Sequence, residues 1–213
     1  GIHVTTVAAA KACSLLLFAK EEKSGKGVKF HEVFHIPFPE TGKTGHPVYP
    51  VEDIRDSQKA CFHDAIFLKK GEEWNDDLLK IKAFGSTDIG ISFLLDVADK
   101  RIFHAGDLNN WHWEEESTPE EIREAANFYH QELETLARET DYVDLALFPV
   151  DPRLGKDYTR GGREFVDRIR TLQFAPMHFW EKYEKANAFR EYVEKRGGRF
   201  LAIGKPGEEK TIN

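Results

Sequence analysis

The stretch Phe103-His-Ala-Gly-Asp-Leu-Asn-Asn-Trp-His-Trp113 follows an apolar run and interrupts it with a glycine and an aspartate. Residues 101–104 are predicted to form a strand, which the glycine ends. A carboxylate placed directly after a strand lies at the edge of a sheet, where loops build active sites on a rigid support. Asp107 is therefore a candidate metal ligand, with His104 and His112 close to it in the sequence. The motif taken alone is also compatible with a polar turn at a strand end.

Predicted strands and helices alternate on both sides of this stretch. Ser117-Thr-Pro-Glu-Glu121 is typical of a helix start, because a hydroxyl caps free N–H groups and carboxylates favour the positive end of the helix dipole. We expect that helix to continue to about residue 140. The other predicted strands are 65–69, 78–84, 89–97, 144–150, 174–179 and 199–203, and the other predicted helices are 162–172 and 181–195. This alternation predicts an α/β fold.

A second candidate ligand follows another predicted strand. Ala175-Pro-Met-His-Phe-Trp180 places His178 at the end of that strand and directly before a helix. Neutral imidazole is a common metal ligand, but a lone histidine among apolar residues more often hydrogen-bonds a backbone carbonyl. This motif alone leaves both interpretations open.

Two further motifs lie at predicted strand ends. The motif FGSTD contains Ser86 and Asp88 and is typical of a turn with side-chain-to-backbone hydrogen bonds. The motif FPVDPR contains Asp151 and Arg153, which form either a structural ion pair or a pair that steadies a metal ligand. These four side chains are also candidate substrate-binding residues.

The order of these motifs resembles one branch of the metallo-β-lactamase superfamily. The likeness covers roughly residues 53–200, and HAGDLNNWHW together with PMHFW is fairly specific to that branch. The resemblance implies an αββα sandwich with one or two metal ions, usually zinc, at one edge of its two sheets. It also implies that Asp107 bridges the metal ions and that His178 is the last histidine ligand. His104 is adjacent enough to Asp107 to assist catalysis beside them.

The same resemblance implies metal-dependent hydrolysis of a small molecule. A metal-bound water loses a proton near neutral pH and attacks an ester, lactone or phosphoester, and the positive charge stabilises the resulting oxyanion. Histidine and carboxylate ligands suit zinc, iron and manganese alike. The predicted cofactor is therefore a divalent metal, with zinc as the first choice.

The first part of the chain lacks the motif that supplies most ligands in this superfamily. The signature H-x-H-x-D-H should precede FGSTD, and no segment matches it. His31 and His35 are candidate substitute ligands, with His63 as a further one. His-Glu-Val-Phe-His also matches the H-E-x-x-H motif of zinc metalloproteases, with Glu32 as the base. Two prolines follow within four residues and argue against a continuous helix there.

Residues 1–50 are thus atypical, whereas residues 51–213 resemble the family, and we expect both parts to belong to a single domain. Three explanations remain open. Histidines of the first part replace the missing ligands, or the chain is a catalytically inactive remnant that serves as a binding or scaffold domain. In the third, the first part is altered relative to an intact family member.

The overall composition narrows the class of protein. The chain has 30 basic and 37 acidic residues, a net charge of -7 and no basic cluster, which argues against a nucleic-acid partner. Its longest apolar stretch, 7–19, is interrupted by Lys11 and is too short to span a bilayer. Two isolated cysteines, Cys13 and Cys61, form no disulfide framework and favour a reduced, soluble cytoplasmic protein. The apolar face of the long helix leaves a homo-oligomer open.

A shifted reading frame is our hypothesis for the altered first part. The codons permitted for Thr41 to Pro50, read one base forward, allow Leu-Glu-Arg-Pro-Asp-Ile-Arg-Tyr-Ile. That string resembles what the family carries just before the segment that matches Glu52-Asp-Ile-Arg55. We expect an alternative frame upstream of residue 50 to encode H-x-H-x-D-H, which sequencing of the gene tests directly. Absence of the motif from both alternative frames would refute the hypothesis.

Overall fold

The structure, a computed structural model, describes residues 68–205 and 208–212, except residues 76, 78, 89 and 98. Of the residues before 68 it describes the backbone of three strands, β1 (Ile2–Ala9), β2 (Ala12–Lys20) and β3 (Phe30–Glu32). The strand predicted at 65–69 therefore lies largely outside the described residues.

One large sheet forms the centre of the described fold. The strands after β3 are β4 (Glu73–Asn75), β5 (Leu79–Phe84), β6 (Ser92–Val97), β7 (Lys100–His104), β8 (Tyr142–Val143), β9 (Leu145–Pro149), β10 (Arg170–Thr171), β11 (Gln173–Met177), β12 (Arg199–Phe200) and β13 (Glu209–Ile212). The large sheet has the order β12-β11-β9-β7-β6-β5-β4. Strands β4 to β7 pair antiparallel, whereas β7, β9, β11 and β12 pair parallel.

The two central parallel strands are buried along their whole length. Every residue of β9 and of β11 is buried, as expected for parallel strands that are covered on both faces. Aromatic rings pack beside them. The ring centroid of Phe165 lies 4.8 Å from that of Phe148 and 5.3 Å from that of Phe103. These contacts fix the strands whose ends carry the candidate ligands.

A second sheet contains the strands of the first part of the chain. Its order is β13-β1-β2-β3, and all of its pairs are antiparallel. Ile212 of β13 is buried and belongs to the same apolar cluster as the large sheet, so this sheet contacts the main core. A separate short pair joins β8 and β10 in parallel.

Helices follow the parallel strands in the chain. They are α1 (Pro119–Glu139), the 3-10 helix Pro152–Asp157, α2 (Arg160–Arg168), α3 (Tyr183–Asn187) and α4 (Arg190–Glu194). The α/β class predicted from the sequence is confirmed. The predicted start of α1 is also confirmed, because Thr118 and Glu121 form a reciprocal capping box.

Three predicted elements differ from the structure. The helix predicted at 162–172 is shorter, since residues 170–171 form β10, and the last predicted strand ends at Phe200. The helix predicted at 181–195 is divided into α3 and α4. Asn187 donates to and accepts from the backbone of Ile203, and Phe189 is buried against Phe174. These contacts stabilise the break between α3 and α4, which the spacing of apolar residues in this segment does not predict.

The glycine of the FGSTD motif permits a close approach between α1 and the large sheet. Glu132 of α1 is buried, and its carboxylate occupies the place that a Cβ atom on Gly85 would need. The Lys70 ammonium contacts the same carboxylate at 2.5 Å. Any larger residue at position 85 would therefore have to displace the Glu132 carboxylate from this position.

No helix within the described ranges combines the length and the apolar character that crossing a membrane requires.

We expect Thr118→Ala to lower the free energy of unfolding by about 1 kcal/mol, because the capping box is lost. Urea denaturation measures the change. Thr135→Ala is the matched control: Thr135 is exposed in the middle of α1, and alanine there is neutral or slightly stabilising. Equal losses in the two variants would contradict a capping role for Thr118.

Candidate functional site

The structure brings Asp107 and His178 into contact. Asp107 lies three residues after β7 and His178 follows β11 directly, so both lie at the carboxyl edge of the parallel strands. Nε2 of His178 is 2.8 Å from Oδ1 of Asp107. The two side chains are only 15% and 7% exposed, so they are partly removed from water at this edge.

His104 is the last residue of β7 and is buried beside this pair. Burial lowers the pKa of its imidazole to about 4, the His178 imidazole acts in the same direction, and the Asp107 carboxylate opposes both. Its Nδ1 accepts a hydrogen bond from the Gly106 N–H at 3.1 Å, which leaves the proton on Nε2. At neutral pH His104 is therefore a neutral imidazole that can donate from Nε2.

Trp111 links the two candidate ligands. Its indole N–H donates to the backbone carbonyl of Asp107 at 2.8 Å, and its ring packs against the His178 ring at 6.0 Å in an edge-on arrangement. The contacts give that packing a definite role, because one side chain holds both loops at once.

The backbone around His178 is strained. His178, Trp180 and Glu181 have φ angles of 58°, 48° and 62°, in the left-handed region that side chains larger than glycine rarely adopt. Each such residue costs about 1–3 kcal/mol and persists only where the surroundings determine the conformation. Strain of this kind is concentrated at functional sites.

Thr87 connects the FGSTD loop with the loop that carries Asp107. Its hydroxyl donates to the Asn109 carbonyl at 2.6 Å and accepts from the Asn109 N–H at 2.9 Å. It also lies 3.4 Å from the Asp107 carbonyl. Sequence reasoning missed this residue, because a threonine in a turn carries no signal of a partner 22 positions away.

Ser86 and Asp88 lie in the same loop but in different surroundings. Ser86 is buried and its hydroxyl oxygen accepts from the Asp88 N–H at 3.4 Å, which is the turn hydrogen bond that the sequence indicated. The Asp88 side chain is exposed. Their role in substrate binding stays a prediction.

Asp151 and Arg153 form the ion pair that the sequence predicted as one of two alternatives. Asp151 is fully buried, and it accepts hydrogen bonds from Nε and Nη2 of Arg153 and from the Arg153 backbone N–H. The Trp180 indole N–H lies 3.3 Å from the same carboxylate. Since Trp180 is two residues after His178, this pair fastens the loop that carries the histidine.

Of the remaining candidate ligands, His35 and His63 and the side chain of His31 lie outside the described residues. Residues 30–32 form a strand, so His31 and Glu32 do not lie on the helix that the H-E-x-x-H motif requires. Within the described ranges no group of three or more His, Cys, Asp or Glu side chains is placed to hold a metal ion. Asp107 and His178 are two candidate donors, whereas a tetrahedral zinc ion takes at least three from the protein.

We expect Thr87→Val to lower the free energy of unfolding by about 1–3 kcal/mol, because two partly buried backbone groups of Asn109 lose their partner. Thr87→Ser keeps the hydroxyl and serves as the control, with a smaller loss. Urea denaturation of both variants gives the comparison. A serine variant as unstable as the valine variant would show that the methyl group, and not the hydroxyl, matters at this position.

The chain has partial counterparts among solved structures. No protein-family model and no curated protein matches it. It is similar to a novel metallo hydrolase from the archaeon Ignicoccus hospitalis, with 17% identity, a TM-score of 0.49, and coverage of 72% of this chain and 63% of the other. It is also similar to CmlA, a diiron β-hydroxylase from Streptomyces venezuelae, with 12% identity, a TM-score of 0.48, and coverage of 70% of this chain and 34% of the other. A third similar structure is a Thermotoga maritima protein proposed to be a zinc-dependent hydrolase of the metallo-β-lactamase superfamily. Its identity is 17%, its TM-score is 0.45, and the match covers 92% of this chain and 86% of the other.

The chain therefore spans less than two thirds of the length of the Ignicoccus and Streptomyces proteins. Identity and TM-score are low throughout, so any functional argument depends on the side chains of this chain itself.

Proposed function

We propose that the chain is a metal-dependent hydrolase in which Asp107 and His178 bind a divalent metal ion. The observation that supports this proposal is the 2.8 Å contact between the Asp107 carboxylate and the His178 imidazole at the carboxyl edge of the parallel strands. A carboxylate and an imidazole from separate loops are a ligand pair that suits zinc, iron and manganese. The expected substrates are small esters, lactones or phosphoesters.

The cost of this arrangement favours a functional role. Removing a carboxylate and an imidazole from water requires compensation, and a buried ion pair seldom stabilises a fold more than apolar residues would. The left-handed backbone at His178 adds a further cost. A fold would gain little from holding two such groups together, whereas a metal site requires that they be held.

The donor set of the described residues fits such an ion only in part. A tetrahedral zinc ion takes three protein ligands and a water molecule, or four protein ligands. Asp107 and His178 are two of these, so the proposal places the remaining donors among residues 1–67. His31, His35 and His63 are the candidates there.

When bound, a divalent ion supplies an ionised water near neutral pH and positive charge for the developing oxyanion. The chain's own residues position that chemistry. Trp111 fixes the Asp107 loop through the Asp107 carbonyl and confines the His178 ring. The neutral His104 can donate a hydrogen bond from Nε2 beside the two proposed ligands but carries no extra proton to release at neutral pH.

A catalytically inactive remnant is the second candidate. The observation in its favour is that Asp107 and His178 already pair with each other, while the described residues contain no cluster of three metal donors. A protein of this kind would keep the fold and serve as a binding or scaffold domain.

Metal content separates the two candidates. We expect the purified protein, after reconstitution with zinc, manganese or iron, to retain metal, and Asp107→Asn to lose most of it, because an amide is a far weaker ligand than a carboxylate. Elemental analysis measures metal per chain, and circular dichroism checks that the variant remains folded. Asp167→Asn is the matched control, since Asp167 pairs with Arg196 at the surface and should leave the metal content unchanged.

Two results would count against the hydrolase. A wild-type protein that retains no metal under any of these conditions supports the remnant. Metal content that is the same in wild type and in Asp107→Asn would remove Asp107 from the ligand set.

A further inference from the structure

Arg153 is held in a rigid cluster next to the proposed metal ligands. We use the name Arg153 clamp for Arg153 together with Trp113, Asp151 and Trp180. The centre of the guanidinium lies 5.7 Å from the Trp113 ring and 4.5 Å from the Trp180 ring, distances at which a cation is attracted by an aromatic face. Its Nε and Nη2 donate to the buried Asp151 carboxylate. The guanidinium therefore has Asp151 on one edge and two aromatic rings within 6 Å.

The guanidinium edge formed by Nη1 and Nη2 is not used by Asp151. A guanidinium has five N–H donors, and Asp151 takes those on the edge formed by Nε and Nη2. Nη1 forms no hydrogen bond with any residue of the described ranges, and Nη2 has a second N–H. The Arg153 side chain is 43% exposed, and the edge formed by Nη1 and Nη2 is the one that Asp151 does not occupy. Two parallel N–H groups on that edge match the two oxygens of a carboxylate or phosphate.

The clamp continues into the metal site without a gap. Trp113 stacks on Trp111 at 6.1 Å, and Trp111 packs against His178 at 6.0 Å. Trp180 is only two residues from His178 and is 41% exposed, although large apolar side chains are usually buried. An exposed indole next to a guanidinium offers an apolar planar surface to a bound molecule.

The backbone of the clamp is strained at both tryptophans. Trp113 and Trp180 have φ angles of 38° and 48°, which are uncommon for residues of this size. An ion pair between Arg153 and Asp151 does not require two tryptophans in left-handed conformations. Their positions are explained if the rings must flank the guanidinium and leave its outer edge open.

We propose that the Arg153 clamp binds an oxyanion of the substrate, a carboxylate or a phosphate, attached to a planar apolar body. This inference depends on the proposed function, in which His178 and Asp107 lie at the other end of the aromatic row. Glu114, Glu115 and Glu116 are exposed directly after Trp113, and their charges oppose an anion. Recognition therefore depends on the two parallel hydrogen bonds at short range, and the affinity expected for a small probe is in the millimolar range.

Intrinsic tryptophan fluorescence tests the proposal, because two of the four tryptophans of the chain flank the guanidinium. The full-length protein is titrated in the presence of EDTA with benzoate, phenyl phosphate and the neutral analogue benzamide. We expect a saturable change with at least one of the two anions and at least about tenfold weaker binding of benzamide, a difference of about 1.4 kcal/mol. The two anions distinguish a carboxylate from a phosphate.

Variants at Arg153 identify the group responsible. Arg153→Gln should weaken binding of the anion at least about tenfold and leave benzamide unchanged. Because this variant leaves the Asp151 carboxylate buried without a cation, Arg153→Lys is measured as well; it keeps the charge but loses the planar pair of donors, and its affinity should lie between the other two. Arg168→Gln is the control, since Arg168 has a similar exposure of 41% and pairs with Glu134 through the same two nitrogens.

Any of three results would overturn the proposal: no saturable change with either anion, equal binding of benzoate and benzamide, or unchanged anion binding in both Arg153 variants. Because EDTA removes metal from the titration, such a result refutes anion binding by the clamp without touching the metal-content measurement. Conversely, a chain that retains no metal but binds benzoate through Arg153 would refute the hydrolase and leave the binding site in place.

Discussion

The parallel pairing of β7, β9 and β11 is the constraint on which the rest of the site depends. Ile102 faces Leu145 and His104 faces Leu147 across the first pair, and Pro149 faces Met177 across the second. The three strands run in one direction; β9 and β11 end at the same level, and β7 ends opposite Leu147 of β9. The loops that follow them therefore leave the sheet side by side. Asp107, Asp151 and His178 are polar residues on those loops. Any other register would separate a carboxylate and an imidazole that now lie 2.8 Å apart.

The core below this edge and the polar contacts above it have separate roles. Residues of β9 and β11 are fully buried, and phenylalanine rings close the space beside them, so the hydrophobic effect fixes the strands. The hydrogen bonds of Thr87 and Trp111 then position the loops by holding backbone groups of Asn109 and Asp107. A rigid base of this kind can hold the left-handed backbone at His178. At a less well packed edge the backbone would rearrange and release this strain.

The sequence predicted those features whose signal is local. Continuous apolar runs indicate β9 and β11, and the S-T-P-E-E segment indicates the start of α1. A glycine followed by an aspartate indicates that Asp107 lies just beyond the end of β7, at the edge of the sheet. Features that depend on distant partners were not predictable. The apolar run 2–17 has no period of two, yet its backbone forms most of the hairpin β1 and β2. The break between α3 and α4 depends on Asn187 and Ile203, and the role of Thr87 depends on Asn109, so neither leaves a pattern within its own segment.

The fold and the proposed metal site draw on different parts of the chain, so Asp107 and His178 can stay in contact although the expected signature is missing. The buried residues of the apolar cluster of the large sheet lie within 79–201, together with Ile212, and the described site residues lie at its rim, where they add little to burial. Loss or replacement of ligands in the first part would therefore leave the strands in register and the contact between Asp107 and His178 intact. The contact between Asp107 and His178 is consequently a product of the arrangement of the parallel strands. Only a property that requires both parts of the chain, such as retention of a metal ion, bears on the activity itself.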